Sequence, residues 1–408
     1  MKTSVLRHPA LLWVTFIAVH VWLIFLGAVV APASLGDLAG VYKFWMDGLF
    51  SGQYIVGVTT IWVYPLLAIV PMIVASIAGL ANFVMAWLVM VTLLDIIVFS
   101  VLIHPRSQKQ DRGPSSPRAL AAWWWTISLL ALGPVALGRI DSVVTPIAIL
   151  GLLFLLTRPM LAGALLAAGA WMKVWPGALF IAAFALLRRR FSILVGALIT
   201  SVTIVAVGLA LGAGTNLFSF VEFQGSRGLQ IESPGATPYL WLIASGNPDS
   251  QIYFDQDLLT YQINGPQVAL VSSIMSWLMA GGVLVTLAAI AWRARNAREG
   301  IHYLPAAGLA MVMALIVFNK VGSPQYLCWL IPPVLFGLLV DRARFVPLAV
   351  AGIMLLFLTQ LIYPWIYDDL LNAKPAAVFV ITARNLLELG VWVWSLRLVL
   401  GRTQRSGG

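Results

Sequence analysis

Apolar residues run in long blocks along this chain, and the polar residues that interrupt them set its organisation. Twelve segments predict membrane-crossing helices, at roughly 10–31, 83–103, 119–137, 141–157, 159–172, 175–187, 191–212, 266–292, 303–319, 326–340, 345–365 and 376–398. A thirteenth run, 62–79, decides the sidedness of everything after it. If it crosses, the loop 104–118, with Arg106, Lys109, Arg112 and Arg118, falls outside. If it lies along the exterior surface or re-enters, that loop is cytoplasmic. In the second arrangement eighteen of the 25 Lys and Arg residues lie in cytoplasmic segments. Basic residues concentrate on the cytoplasmic side, so twelve spans with both termini cytoplasmic are expected. The fold class this implies is an all-α polytopic protein of the plasma membrane, with one transmembrane domain over 1–408.

Two exterior loops are then long, at about 31–82 and 213–264. The first carries GDLAGVYKFWMDGLFSGQY and the helix YPLLAIVPMIVA, the second FQGSRGLQIESPGATPYLW and a polar stretch with Asp249, Asp255 and Asp257. The segments 159–172 and 326–340 are short against the roughly twenty residues a crossing needs. The short segments meet at Lys-Val…Pro breaks, MKVWP at 172–176 and NKVGSP at 319–324. Broken helices with polar groups at the break line a cavity rather than face lipid.

Composition agrees with the pattern: 61% of residues are hydrophobic, 10% are charged, and mean hydropathy is +0.94. In a soluble protein the net charge of +10 would point to nucleic acid; here it is cytoplasmic loop charge facing anionic membrane lipid, and no nucleic-acid partner is expected. The apolar run of the N-terminal segment continues to about Val30 without a clear small-residue cleavage site, so it reads as a retained helix. One cysteine, Cys328, allows no intrachain disulfide, and the scattered His8, His20, His104 and His302 form no metal-ligand cluster. No glycine-rich phosphate loop is present, and no cofactor is expected.

Arg139, Lys173, Arg227 and Lys320 each fall at a break between apolar segments on the side assigned to the exterior. Charge within a bilayer is costly, so basic groups held there point to an anionic ligand, naturally a lipid phosphate. Snorkelling of long basic side chains is the competing explanation. It suits Lys43 and Lys374 in polar loops better than Lys173, which apolar halves flank closely. Lys173 and Lys320 lead as phosphate ligands, with Arg139 and Arg227 next. Arg384 and Glu388, four apart in the last span, have the spacing of a same-helix ion pair.

Five ordered pieces carry a family resemblance. They are Asp37-Leu38-x-x-x-Tyr42 with Gly52 and Tyr54; Tyr64-Pro65; Gly138-Arg139-Ile140-Asp141 with Lys173 and Pro176; Arg227-Gly228-Leu229-Gln230-Ile231-Glu232-Ser233; and Asn319-Lys320 with Ser323-Pro324-Gln325-Tyr326. On these the chain resembles the polyprenyl-phosphate-dependent sugar transferases of the glycosyltransferase C superfamily, most closely family 87, which includes actinobacterial α-mannosyltransferases. It departs from the family at Leu66, where the usual Tyr-Pro-Pro has its second proline. The resemblance implies a bundle of about twelve helices roofed by the two loops. It also implies an inverting transfer of a sugar, mannose first and arabinofuranose as the alternative, from a polyprenyl-phosphate donor to a glycolipid or lipoglycan acceptor.

Such a reaction needs a carboxylate to deprotonate the acceptor hydroxyl and fixed cations to receive the departing phosphate. Asp37 matches the family's catalytic aspartate; capping the following helix is the alternative role. Asp47 competes for the role but reads as an interfacial Asp-Gly turn. Asp141 either orients Arg139 or caps the span that it opens, and Glu232 either binds sugar hydroxyls or pairs with Arg227. With Tyr42, Tyr64, Gln230 and Gln325 they complete the substrate-binding candidates. Trp62, Tyr64, Trp171 and Trp175 fit sugar stacking and interfacial anchoring equally. A polyisoprenoid or lipid transporter without catalysis is the reading from a different class; the gathering of charge on one side argues against it.

Overall fold

The computed structural model describes residues 9–104, 116–225, 227–296 and 300–401. Most of the loop 104–118, on which the sidedness argument turns, lies outside the described residues. Among the described residues, seven helices are long and apolar enough to cross a membrane: Pro9–Val30, Leu80–Ile103, Pro117–Ala136, Arg190–Ala210, Val268–Asn296, Arg342–Trp365 and Pro375–Leu400. Six shorter apolar helices accompany them: Leu66–Ser76, Asp141–Phe154, Pro159–Met172, Pro176–Leu186, Leu304–Val317 and Pro324–Val340. The chain is thus an all-α polytopic membrane protein.

The helical cores, in chain order, begin with α1 Pro9–Phe25, α2 Lys43–Phe50, α3 Ile69–Ser76, α4 Phe83–Ile103, α5 Pro117–Leu132 and α6 Asp141–Phe154. There follow α7 Pro159–Met172, α8 Pro176–Leu186, α9 Arg190–Ala210, α10 Ser219–Gly225 and α11 Thr237–Ala244. After a hairpin come α12 Val268–Asn296, α13 Leu304–Val317, α14 Ile331–Val340, α15 Arg342–Gln360, α16 Tyr367–Leu371 and α17 Pro375–Leu400. Proline opens α5, α7, α8 and α17 at the first turn, where its missing N–H breaks no helical bond and its fixed φ starts the helix.

Helix length separates the inside of the bundle from its periphery. At 1.5 Å per residue the eleven residues of α8 reach about 16 Å and the 29 of α12 about 44 Å, against a hydrocarbon core of about 30 Å. The short helices are inner ones: every residue of α13 except Leu315 is buried. Phe318, at the end of α13, packs against Gly282 halfway along α12, where a Cβ would lie 2.5 Å from its ring. The first half of α12 therefore rises well above the end of α13. Similarly α9, with 21 residues, overshoots its neighbour α8. The ends of the inner helices form the floor of a recess walled by longer helices.

Two glycines let α7 and α9 cross at backbone contact. A Cβ at Gly163 would lie 1.9 Å from the Ile193 carbonyl oxygen, and one at Gly196 would lie 1.9 Å from that of Met160. Small residues at such crossings allow the close helix packing that stabilises membrane bundles. Between α1 and α4, His20 Nε2 meets Asp95 Oδ2 at 3.0 Å with both side chains buried, while His20 Nδ1 lies 2.9 Å from the Phe16 carbonyl. At the opposite end from the recess, Arg293 and Arg344 donate to the last carbonyls of α17, at Val399 (2.6 Å) and Leu398 (2.9 Å), satisfying a helix end that has no intrahelical partners.

The thirteenth candidate, observed as Leu66–Ser76, does not cross. Tyr64, before it, reaches Tyr42, and Trp87, one turn into α4, packs on the same Tyr42 and donates to Leu137 O at 3.0 Å. The segment therefore leaves and re-enters at one end of the bundle, the recess end. The other departure from expectation is a two-stranded antiparallel hairpin in the second long loop, β1 Gln251–Asp255 with β2 Thr260–Asn264, registered Gln251 to Asn264 and Asp255 to Thr260. The polar stretch around Asp255 and Asp257 is its turn.

Candidate active site

Three chain reversals make the floor of the recess: Gly133–Ile140 before α6, Lys173–Trp175 between α7 and α8, and Phe318–Ser323 after α13. Over them lie the segment that follows α1, the stretch Arg227–Ser233 and the hairpin. Between floor and roof is a cleft of about 680 Å³, lined among others by Asp37, Tyr42, Tyr64, Arg139, Arg227, Gln230, Glu232 and Gln325.

Asp37 opens a helical turn, Asp37–Tyr42, but its side chain caps nothing. Instead Oδ2 forms an ion pair with the Arg139 guanidinium, with Nε at 3.1 Å. The arginine is almost fully buried, and its Nη1 donates to the carbonyls of Ser34 (2.8 Å) and Gly138 (2.9 Å). Tyr42, buried one turn after Asp37, accepts from the Ile140 amide at 3.1 Å and meets the Tyr64 hydroxyl at 3.3 Å. The first long loop is in this way fixed to the floor around the Asp37 carboxylate. Asp47 lies exposed in the middle of α2 and does not line the cleft, so its Asp-Gly step is helical rather than a turn.

Asp141 takes neither role offered by the sequence. It is fully buried at the first position of α6, does not cap, does not meet Arg139 and does not reach the cleft. Its Oδ1 accepts the Trp329 indole N–H at 2.7 Å, and Oδ2 lies 3.7 Å from Lys173 Nζ. Lys173 Nζ also stands 4.7 Å from the centre of the Tyr64 ring and 5.6 Å from that of Tyr326. Burial is the largest single influence and disfavours its charge, but Asp141, Tyr64 and Tyr326 together outweigh it and hold the ammonium group above the ordinary lysine range. Lys320 is shifted the other way: burial and then the neighbouring Arg227 both lower it. Arg227 presses on Lys173 as well, so these three cations share one neighbourhood. Arg139 and Arg227 line the cleft; the two lysines are not among its lining residues and stand beside lining residues, Lys173 at Tyr64 and Lys320 at Gln230. The Gln230 amide donates to the Lys320 carbonyl at 3.0 Å, and Ser323 Oγ lies 3.5 Å from Gln230 Oε1.

Among the described residues, Glu232 forms no ion pair through its carboxylate with Arg227 or another cation. Tyr367 donates to its Oε1 at 2.7 Å, and Arg384 donates to its main-chain carbonyl. Burial pushes the carboxyl upward, and the Tyr367 hydrogen bond pulls it partly back. Arg384 and Glu388 form the expected same-helix pair at 3.4 Å. Trp62 and Tyr64 line the cleft together with Trp45, in edge-to-face contact at 5.4–5.9 Å. Trp171 and Trp175 do not: one donates to Ser201 and the other stacks on Trp329. Tyr261, Tyr363, Tyr367, Asp368 and Phe254 also line the cleft, and none of them was a sequence candidate.

The arrangement offers an open carboxylate, a cluster of cations for an anionic group and a wall of aromatic rings for an apolar or sugar face, all at one end of a membrane bundle. A model of glycosyltransferase family 87 matches residues 62–324 of the chain. No curated protein and no solved structure matches it.

Proposed function

This chain belongs to glycosyltransferase family 87, a membrane glycosyltransferase by that membership, and we propose that it transfers a sugar from a polyprenyl-phosphate donor to a lipid-linked glycan on the exterior face. What carries the reading is the meeting of Asp37 with Arg139, Arg227, Lys173 and Lys320 around one cleft. A lipid-phosphate sugar carries its own leaving group, and cations gathered at the ends of broken helices suit that phosphate.

In this mechanism Asp37 takes the proton of the acceptor hydroxyl as its oxygen attacks the anomeric carbon. The bond from that carbon to the phosphate oxygen breaks, the configuration inverts, and the cations receive the charge of the departing lipid phosphate. Arginine contributes a forked donor pair and lysine a point charge. Mannose is the expected sugar and arabinofuranose the alternative. Incubation of the purified protein with synthetic polyprenyl-phosphate mannose, or its arabinofuranose counterpart, and lipid-linked mannoside acceptors tests the reading by mass spectrometry. Appearance of the glycosylated acceptor and free polyprenyl phosphate is the expected result. No transfer from either donor, with the lipid unbound, overturns it.

A further inference from the structure

Glu232 is held on every side except one. It is 2% exposed, yet it lines the cleft, and its Oε2 has no hydrogen-bond partner while Oε1 accepts from Tyr367. An unpaired buried carboxylate oxygen is costly, and unlike Glu388, whose Oε2 is also unpaired, Glu232 lines the cleft, where a ligand can supply the partner.

The rest of the residue is clamped. On one side Gly322 lets the Lys320 loop lie against its backbone: a Cβ there would sit 2.4 Å from the Glu232 carbonyl carbon. On the other side Arg384 holds its carbonyl oxygen from within α17. Arg384 is itself fixed by Asn385 Oδ1 (3.0 Å from Nε, 2.7 Å from Nη2) and by Glu388, and Asn385 is tied to Thr237 at 2.8 Å. Tyr367 and Arg384 lie beyond the stretch 62–324 that the family model matches, so that match assigns them nothing.

We infer that Glu232 Oε2 accepts a hydroxyl of the donor's sugar ring, that Tyr367 and Arg384 position it to do so, and that this contact selects the sugar. The inference rests on the proposed polyprenyl-phosphate donor. Its direction comes from the chain itself: Gln230 is bonded to the Lys320 loop, and Glu232 follows two residues later, at most about 7 Å of extended backbone away. A ring attached to a phosphate held by that loop spans the gap. The acceptor is the partner of Asp37, which its hydroxyl must reach. A carboxylate acceptor also discriminates: a ring lacking the matching hydroxyl leaves the oxygen unpaired in a dry site, and such sites reject the analogue strongly.

The test measures binding to the full-length protein in lipid nanodiscs. The probes are bare polyprenyl phosphate, polyprenyl-phosphate mannose and its 2-, 3-, 4- and 6-deoxy forms. Glu232→Gln keeps the volume and the acceptor for Tyr367, so the fold is preserved. It is expected to weaken the mannosyl lipid about 10- to 100-fold, the worth of a hydrogen bond to a charged group, and to leave bare polyprenyl phosphate unchanged. One deoxy form should bind the wild type as weakly as the parent binds the variant, with no further loss when the two are combined. Tyr367→Phe and Arg384→Lys should lower the same ratio of sugared to bare lipid affinity, whereas a general loss of packing lowers both affinities together. Equal loss for both lipids in Glu232→Gln, or no loss for either, overturns the inference and leaves the donor class standing. Wild-type protein that binds neither lipid overturns the inference and the proposed function together.

Discussion

Arg139 Nε stands 3.1 Å from Oδ2 of Asp37, and about a third of the aspartate side chain remains open to the cleft. The arginine is held in place, because its Nη1 donates both to Ser34 in the segment above the floor and to Gly138 within the floor. One edge of the carboxylate is thereby fixed and the rest faces the cleft. A capping aspartate would instead turn its oxygens toward backbone amides, and no such bond forms.

Asp37→Asn tests that difference. The amide keeps the size and much of the contact to Arg139 but takes no proton, so turnover should fall roughly 10²- to 10⁴-fold while thermal stability and lipid binding hold. Arg139→Lys keeps the charge and loses the fork; misplacing the base should cost up to about 10²-fold in turnover. Asp47→Asn, on an exposed helix face, should turn over as the wild type does. A fully active Asp37→Asn protein removes the proposed general base.

The Lys173–Asp141 pair makes a prediction about stability first and activity second. Asp141 is fully buried, so Lys173→Met leaves a carboxylate with only the Trp329 indole as partner. Breaking a buried pair from one side costs about 3–5 kcal/mol, whereas removing both charges is far cheaper. Lys173→Met should therefore lose much of its folded protein, and Lys173→Met with Asp141→Asn should recover most of it. Thermal inactivation midpoints in matched detergent distinguish the two. If the recovered double variant still binds polyprenyl phosphate as wild type does, Lys173 serves the fold and not the donor.

Much of this site was legible because it is written at helix breaks. Asp37, Arg139, Arg227, Gln230 and Gln325 stand in local patterns of charge and proline, and the cleft gathers them. The partner of each charge was not legible. Asp141 sits two residues from Arg139, yet it turns to Lys173 and Trp329, because the first turn of a helix points its side chains along directions that spacing does not give. The Tyr367–Glu232 and Arg384–Glu232 contacts join residues 135 and 152 positions apart, and His20 meets Asp95 across 75. No local period carries that information. The hairpin is different: Gln-Ile-Tyr-Phe-Asp and Thr-Tyr-Gln-Ile-Asn, rich in aromatic and β-branched residues around a short turn, were a strand signal that surrounding charge obscured.

Sidedness is open to a direct measurement. Leu259 is exposed at the turn of the hairpin over the cleft, and Arg189 is exposed at the turn between α8 and α9, at the opposite end. The native Cys328 is buried and gives little background. With an exterior active site, Leu259→Cys should react with an impermeant maleimide in intact cells, and Arg189→Cys should react only after permeabilisation. The reverse pattern would place the cleft in the cytoplasm and leave a lipid-linked exterior acceptor out of reach.

The two lysines of the cation cluster should separate on a pH titration of donor binding. Phosphate binds the ammonium form. Burial and Arg227 both favour the neutral amine of Lys320, so its pKa lies below the usual 10.5, and its charge is lost as pH rises through that lowered value. Asp141, together with Tyr64 and Tyr326, holds Lys173 above 10.5 against burial, so Lys173 keeps its charge through the same window. Affinity for bare polyprenyl phosphate should therefore fall about tenfold or more with rising pH, before an ordinary lysine would titrate. Bound phosphate favours the charged amine, so the fall must be read at low lipid occupancy; near saturation it moves to higher pH. Lys320→Arg carries a guanidinium that stays charged throughout, and its affinity should be flat across the window. An unchanged fall in that variant would show that another group titrates and would remove Lys320 from the phosphate site.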